Sequence, residues 1–557
     1  MARDPDEGGP LVFDLVDNDA AGLDAPRPPS GVEGAGDPGD PGDDEPEPGE
    51  APSGGRSRTL WLLVPVAAVL AIGLGTGFAV DSVRDGARTE RMRDVYGGVV
   101  DVTEPLDEIW AWAGSVGTFG AMEQGRWNEV AVLGDRLAFQ SGGDLVALDP
   151  ATGDEAWRLG LGEDPDCGPQ GLAGWSEVVT ARLVCLAGDA DRVARVVGPD
   201  GAVSAERTLE AADLRRYGVA RPGPDGTVLR AKRVGPEPPA GANHVGCINP
   251  GECTGTVEAG RGLRLRAEDA ATGEERWSLT VPFRSTRADQ CTNWYATSWD
   301  RSSNVVGMDY MIDAEGFGAR ITGDLVQLYG CGIEAAVTQG GVLLGTEIEP
   351  GTGGVESLRT GGYAGYNFDG GMGATLYAAD GGVVGEIDGY VLQPTATDGV
   401  GQDTLLASGL SGARLRAYAP DGTPRWDVAV SADAQLFLAQ TGGSAIVQTA
   451  AGKVRGLDLA TGAERWTWDP SAPEDGFPSD VYVSRAFTDG QSVLLVIETS
   501  YGGRGLVALD AVSGEVAWER LVPDGSADQS PPRRSAGLVA VDGHLLEVAP
   551  DGVRGLG

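Results

Sequence analysis

Six cysteines and two histidines are the residues of this 557-residue chain that could do redox, metal or nucleophilic chemistry. The cysteines are Cys167, Cys185, Cys247, Cys253, Cys291 and Cys331, and the histidines are His244 and His544. An even set of cysteines confined to one part of a chain favours disulfides in an oxidising compartment. We predict pairing between neighbours, 167–185, 247–253 and 291–331, with the loop CINPGEC (247–253) as the best-supported pair.

Zinc binding and nucleophilic catalysis fit these residues poorly. The cysteines lack CxxC spacing and histidine is too scarce for a common zinc site. There is no G-x-S-x-G motif, no P-loop, and no G-x-G-x-x-G that opens a helix. The formal net charge of −41 argues against nucleic acids and anionic lipid surfaces as partners. The sequence therefore predicts no catalytic residue, no metal site and no cofactor.

The cysteines lie in a part of the chain in which one sequence motif is repeated several times. Each copy is a short apolar run, then Asp, a few small residues and Gly, then charged residues and Trp. The copies are LVALDPATGDEAW (145–157), LRAEDAATGEERW (265–277), YAPDGTPRW (418–426), LDLATGAERWTW (457–468) and LVALDAVSGEVAW (506–518). A sixth, VVGPDGAVSAER (196–207), has lost its Trp. Internal repeats of this kind outrank other signals of fold.

Each copy predicts a β-hairpin. The Gly stands where the turn needs a positive φ, and the Asp can accept hydrogen bonds from nearby backbone N–H groups. The spacing from Trp426 to Trp466 is 466 − 426 = 40 residues, and from Trp466 to Trp518 it is 518 − 466 = 52 residues. Spacings of about 40–50 residues are typical of a four-stranded propeller blade.

The motif D-x-x-T/S-G-x-x-x-W resembles the tryptophan-docking repeat of the PQQ-like (quinoprotein-type) β-propellers, and the resemblance covers most of residues 105–557. It implies an all-β fold in which the Trp of one blade packs between its own sheet and the next. The implied docking residues are Trp110, Trp157, Trp277, Trp426, Trp466 and Trp518. We expect eight blades, or else seven, because residues 285–400 lack the motif.

The ends of the repeat region each carry half of a repeat. DEIWAW (107–112) matches the back half of a repeat, and LVAVDGHLLEVAPDG (538–552) matches a front half without a Trp. We predict that the halves join in one blade, with Ile109 to Trp112 as its outer strand beside strands from about 535–552. Closing the ring in this way removes exposed sheet edges.

The first hundred residues differ in kind from the repeats. Residues 1–58 are rich in Pro, Gly and acids and predict a disordered cytoplasmic tail, in which LVFDLVD (11–17) could contact a cytoplasmic partner. The apolar run at 60–80 carries no charge and is long enough for a transmembrane helix, placed at 59–80. Residues 81–104 are expected to be a juxtamembrane linker, and 105–557 the propeller.

The expected orientation places the tail inside the cell and the propeller outside it. Arginines are more numerous after the apolar run than before it, which favours the opposite orientation. The cysteines decide the prediction, because all six follow the run and point to an oxidising compartment. The predicted location is therefore the plasma membrane of a bacterium, with one crossing.

Two classes of function remain open. The first is a non-catalytic binding or scaffold module whose partner is an extracytoplasmic protein, a glycan or a small ligand. The alternative is a PQQ-dependent dehydrogenase that oxidises alcohols or sugars. The resemblance implies that such enzymes hold the quinone near the propeller axis with calcium, a catalytic Asp and often a disulfide of adjacent cysteines. No two cysteines here are adjacent, and no residue matches the other roles, so the binding module is favoured.

Overall fold

The computed structural model describes residues 84–557 apart from several internal gaps. The gaps are 120–126, 163–164, 189–191, 240–241, 248–252, 292–314, 347, 349–352, 368–372, 410–413, 430–433, 471–480, 500–503 and 523–535. The predicted tail (1–58), its segment 11–17 and the predicted membrane helix (59–80) lie outside the described residues. Among the helices that are described, none combines the length and the apolar character needed to span a membrane.

Antiparallel four-stranded units dominate the described residues, and we number them as sheets 1 to 9. Sheets 1 to 3 contain Trp127–Leu133, Arg136–Ser141, Asp144–Leu148, Glu155–Gly160; Asp166–Gly168, Leu183–Ala187, Val193–Val197, Val203–Thr208; and Val219–Pro222, Thr227–Val234, Gly262–Asp269, Glu275–Val281. Sheets 4 to 6 contain Phe317–Ile321, Leu325–Gly330, Ile333–Thr338, Leu343–Leu344; Gly353–Ser357, Tyr363–Asn367, Gly373–Tyr377, Val383–Asp388; and Tyr390–Leu392, Leu405–Ser408, Arg414–Tyr418, Pro424–Ala429. Sheets 7 to 9 contain Ala434–Thr441, Ser444–Thr449, Val454–Asp458, Glu464–Trp468; Val481–Thr488, Ser492–Thr499, Arg504–Asp510, Val516–Val522; and Gly537–Val541, His544–Ala549, Gly552–Leu556, Glu108–Ala113.

A few short elements are added to these sheets. Thr118–Phe119, Gly171–Leu172 and Val178–Thr180 pair with the first strand of sheet 1, and Pro394–Thr397 pairs with the first strand of sheet 7. A separate three-stranded sheet consists of His244–Cys247, Cys253–Val257 and Thr286–Arg287. The helices are 84–94 and Ala211–Tyr217, with single 3-10 turns at Pro224–Gly226 and Ala288–Cys291.

The nine sheets form a closed ring, which is the arrangement of a β-propeller. Each consecutive pair of sheets shares a cluster of buried apolar side chains, and a further cluster joins sheet 9 back to sheet 1. The fourth strands are the outer ones, because their residues alternate between exposed and half-buried, as in Glu155–Gly160 and Pro424–Ala429. The first strands therefore face the centre.

The predicted closure of the ring is confirmed, whereas the predicted number of blades is wrong for the described residues. Glu108–Ala113 is the outer strand of sheet 9 and pairs antiparallel with Gly552–Leu556. Nine sheets are present instead of eight or seven. The excess arises within 285–400, where sheets 4 and 5 both form without a docking Trp in their outer strands.

The segment that precedes sheet 9 is packed against the ring. Met92, on helix 84–94, is fully buried, and Val102 is also fully buried in the cluster between sheets 8 and 9. The backbone of residues 96–100 exchanges hydrogen bonds with Thr397, Thr488 and Gly543. Residues 84–106 thus lie along the hairpin turns at one end of the ring.

Candidate functional site

The docking tryptophans lie at the interfaces between consecutive sheets. Each indole Nε1 donates a hydrogen bond to a backbone carbonyl of the next sheet or, for Trp518, of the segment beside it. The pairs are Trp110 to Pro150 (3.2 Å), Trp157 to Pro199 (2.8 Å), Trp277 to Gln339 (2.8 Å), Trp426 to Leu459 (2.9 Å), Trp466 to Ala511 (3.3 Å) and Trp518 to Val102 (2.8 Å). These residues join the ring together and do not form a ligand site.

The turn before each Trp is built to receive the indole of the preceding sheet. Asp458 Oδ1 accepts hydrogen bonds from the backbone N–H groups of Ala460 and Thr461. Gly462 has φ 74°, and a Cβ at this position would lie 2.7 Å from the ring of Trp426. Glycine is therefore required here both by the backbone conformation and by the indole.

Where the Trp is missing, the interface is filled in other ways. Ala205 stands at the Trp position of sheet 2, and Arg207 on the same face donates from Nε to the carbonyl of Ala270 at 3.0 Å. Gly385 takes the position in sheet 5, where a Cβ would lie 2.2 Å from the carbonyl oxygen of Asp421 in sheet 6. The next sheet therefore approaches the backbone directly.

The cysteines of the described residues form disulfides. Cys167–Cys185 and Cys291–Cys331 are bonded, which are two of the three predicted pairs. Cys253 is also disulfide-bonded and stands directly opposite Cys247 in the ladder of the three-stranded sheet. Their chemistry is structural.

The centre of the ring contains a buried ionic cluster that sequence reasoning missed. Residues 171–180 add two short strands along the first strand of sheet 1 and carry Glu177, whose side chain is 2 % exposed. Arg485, on the first strand of sheet 8, forms an ion pair with it and is 7 % exposed. The Tyr96 hydroxyl donates to Glu177 Oε2 at 2.7 Å, and Arg485 Nη2 donates to the Tyr96 oxygen at 3.0 Å. This cluster ties residue 96 to sheets 1 and 8.

Burial and charge act against each other at this cluster. Burial of Glu177 tends to raise the pKa of its carboxyl, but the charge and hydrogen bonds of Arg485 outweigh burial, and the pKa is lowered. Burial raises the pKa of the Tyr96 hydroxyl, with a further rise from the Glu177 charge. Glu177 is thus a carboxylate, Arg485 a cation and Tyr96 a neutral donor at neutral pH.

A cavity of about 660 Å³ adjoins this cluster. Its walls come from the hairpin turns and first strands of sheets 1, 5, 6, 7, 8 and 9 and from residues 93–97. Apolar side chains such as Val179, Val391 and Leu392 alternate with polar ones such as Gln393 and Thr404. The volume and the mixture are typical of small-ligand sites, which occupy about 300–1,000 Å³.

Arg359 and Arg93 are the exposed cations among the described residues of the cavity wall. Arg359 lies in the first hairpin turn of sheet 5, and its guanidinium carbon is 3.3 Å from the centre of the Tyr96 ring. Its backbone N–H donates to Gln393 Oε1 at 2.9 Å, which fixes the turn. The residue is exposed, in contrast to Arg485.

The described residues do not fit the requirements of a quinone with calcium. No cluster of three or more His, Cys, Asp or Glu residues able to hold a metal ion occurs in the part of the chain that the structure describes. The buried carboxylate at the centre, Glu177, is already committed to Arg485 and Tyr96. His544 is half-buried, and burial lowers its pKa, so it is neutral at neutral pH.

Comparison with protein families identifies the repeat. Residues 372–549 match the family model described as "Outer membrane protein assembly factor BamB". Residues 372–549 are thus similar to PQQ-like repeats of the BamB type, in agreement with the resemblance of the motif. The matched region comprises the last two strands of sheet 5, sheets 6 to 8 and the first two strands of sheet 9.

Solved structures give weaker similarities. BamB from Moraxella catarrhalis is 12% identical over 81% of this chain and 97% of its own, with a TM-score of 0.26. The computationally designed Ika8 protein is 10% identical (80% and 99% covered, TM-score 0.31), and Saccharomyces cerevisiae Sqt1 is 8% identical (81% and 99% covered, TM-score 0.34). TM-scores this low establish no shared fold. No curated protein sequence matches the chain.

Proposed function

We propose that this protein is a non-catalytic binding module, held at the outer face of the plasma membrane by residues 60–80, with its recognition site in the 660 Å³ cavity. The proposal rests on which segments of the chain form the cavity wall. Residues 93–97, which follow the predicted membrane helix by little more than a dozen positions, form part of that wall. An occupant would therefore contact the segment that leads to the membrane.

The fixed geometry of the ring supports a binding role. The docking tryptophans and the closing strand hold the sheets rigidly, so that turns at the end of the ring can present recognition groups in a set arrangement. The family matched by residues 372–549 is described as an assembly factor, which supports the binding class over catalysis. An assembly factor acts by contact with other molecules, and a rigid ring suits that role.

The proposed topology adds a second contact on the other side of the membrane. The acidic tail, residues 1–58, would lie in the cytoplasm, where LVFDLVD (11–17) could bind a partner. Protease added to intact cells should then digest the propeller and leave an N-terminal tag protected. Digestion of the tag before the propeller would invert the topology and remove the extracytoplasmic assignment.

Site-specific crosslinking in cells tests the cavity as the recognition site. A photoreactive amino acid at Gln402, an exposed residue of the wall, should capture a ligand or partner. The matched control is Val383, which is 65% exposed on the outer strand of sheet 5 and should capture nothing specific. Equal capture at both positions would contradict a site in the cavity.

The dehydrogenase alternative is tested separately with the purified full-length chain. The protein is incubated with PQQ and calcium, and dye-linked oxidation of alcohols and sugars is measured. We expect neither stoichiometric quinone uptake nor turnover. Uptake together with turnover would overturn the non-catalytic proposal.

A further inference from the structure

We propose that the cavity binds a small amphipathic carboxylic acid and that Arg359 is the anchor for its carboxylate. The inference deepens the proposed function and rests on it for the choice of site. Its first basis is the state of the guanidinium. One face of Arg359 lies on the Tyr96 ring, and no carboxylate lies within ion-pair distance of it among the residues that the structure describes. Its N–H groups thus remain available to an acceptor in the plane of the guanidinium.

Two carboxylates on this side of the molecule accept hydrogen bonds from groups other than Arg359. Glu177 is ion-paired with Arg485. Glu356 accepts a hydrogen bond from the Tyr366 hydroxyl, and burial raises the pKa of its carboxyl although the charge of Arg359 acts in the opposite direction. The positive charge of Arg359 is therefore balanced mainly by an aromatic face and solvent, and an arriving carboxylate would gain a charge-assisted, bidentate contact.

The opposite side of the cavity carries charges of both signs, because the exposed Arg93 lies against Gly543 there. Asp542, in the first turn of sheet 9, and Asp135, in the first turn of sheet 1, both line the wall there. Sheets 6, 7 and 8 separate sheet 9 from the sheet of Arg359. The charge of Arg93 is partly balanced by these carboxylates, whereas Arg359 has no such neighbour within ion-pair distance among the described residues, so a single carboxylate is directed towards Arg359.

Apolar groups next to Arg359 define the rest of the ligand. Leu358, Val391 and Leu392 line the wall beside it, and Val179 is 63% exposed although it is apolar. The hydroxyl of Thr360, the next residue, is buried and has no hydrogen-bond partner within the part of the chain that the structure describes. A ligand with an apolar body would cover the valine, and its head group could pair with this hydroxyl.

The experiment compares acids with uncharged analogues of the same shape. The full-length chain in nanodiscs is titrated calorimetrically with 4-phenylbutyrate, hexanoate and the corresponding primary amides. The acids should bind about tenfold or more tightly than the amides, as expected for a hydrogen-bonded ion pair. Arg359→Gln should remove this preference and leave amide binding unchanged, and Arg359→Lys should retain part of it, since lysine keeps the charge but not the bidentate geometry.

Two further variants separate recognition from folding. Arg414→Gln changes an exposed arginine of sheet 6 that pairs with Asp427 outside the cavity, and should not alter acid binding. Thr360→Val should weaken acid binding a few-fold at an unchanged melting temperature. This variant tests the site independently if Arg359→Gln also disturbs the packing of Tyr96. Equal binding of acids and amides, no binding of any probe, or an undiminished preference in Arg359→Gln would overturn the inference. Quinone turnover or inverted topology would instead overturn the proposed function, because neither affects the comparison of acid with amide.

Discussion

The indole of Trp518 donates a 2.8 Å hydrogen bond to the carbonyl oxygen of Val102, which lies 416 residues earlier in the chain. In other sheets the acceptor belongs to the turn between the third and fourth strands. Sheet 9 has no such turn, because its third strand ends at Leu556 and its fourth begins at Glu108. Residues 99–106 fill the space and supply the acceptor, so the segment before the propeller completes its last interface.

Replacing Trp518 should therefore destabilise the interface that closes the ring between sheets 8 and 9. Trp518→Ala should lower the free energy of unfolding by about 3–5 kcal/mol, since it leaves a cavity in the cluster shared by sheets 8 and 9. Trp175→Ala is the matched control, because Trp175 is 76% exposed, and should change it by less than about 0.5 kcal/mol. Urea unfolding measures the free energy of unfolding of both variants. Similar losses in the two would contradict a structural role of Trp518 at this interface.

Breaking the ionic cluster at the centre should be costly because one charge would remain buried. Glu177→Gln should reduce the free energy of unfolding by about 3–5 kcal/mol. The exposed pair Arg195–Glu206 provides the comparison, and Glu206→Gln should cost less than about 1 kcal/mol. Adding Arg485→Met to Glu177→Gln should restore part of the loss. A double variant as unstable as the sum of the single variants would show that the pair is not coupled.

The repeated turn aspartates should make stability fall in acid. The hydrogen bond from Arg276, together with backbone N–H groups, lowers the pKa of Asp269 to about 2. The folded pKa is below the ordinary value, so the contribution is complete above about pH 4 and is lost as the pH falls towards 2. Urea midpoints from pH 6 to 2 should show this decline, and Asp269→Asn or Arg276→Gln should make it shallower. An unchanged slope in Asp269→Asn would rule out this origin.

Protein purified without reductant should contain no thiol that reacts under denaturing conditions. The double variant Cys167→Ala/Cys185→Ala opens a bridge across 18 residues and should lower the free energy of unfolding by about 3 kcal/mol. Both sulfurs are buried between sheets 1 and 2, so part of the loss would come from packing. Alkylation and peptide mapping measure the thiols, and reactive cysteines would contradict the prediction.

The docking interfaces could be predicted because one residue type repeats at a constant place in a hairpin. The interfaces of sheets 4 and 5 could not be predicted, because Leu344 and Gly385 occupy the positions at which other sheets carry the docking Trp. The turn ADGGV (379–383) is nevertheless similar to PDGTP (420–424) in sheet 6, and would have revealed one of them. Tyrosine at the end of the preceding strand, Tyr377 or Tyr418, is common to both.

The cavity and the ionic cluster could not be predicted from local patterns. Glu177 and Arg485 are 308 residues apart, and each is a single charged residue in an apolar run. Their pairing depends on the closure of a ring whose sheet count the motif alone does not determine. Tyr96 belongs to a segment expected to be a linker, and nothing in its sequence signals a partner at the centre of the propeller.

The pairing of Glu108–Ala113 with Gly552–Leu556 has a consequence for biosynthesis. Gly552 follows Ala113 by 552 − 113 = 439 residues, so the first strand of the propeller to emerge during translation waits for its partner until the other sheets have been made. During that time sheets 8 and 1 expose apolar faces that sheet 9 later covers. A chain halted before residue 552 would keep those faces and an open edge, which chaperones and proteases recognise. Only a molecule translated through its closing strand can hide them.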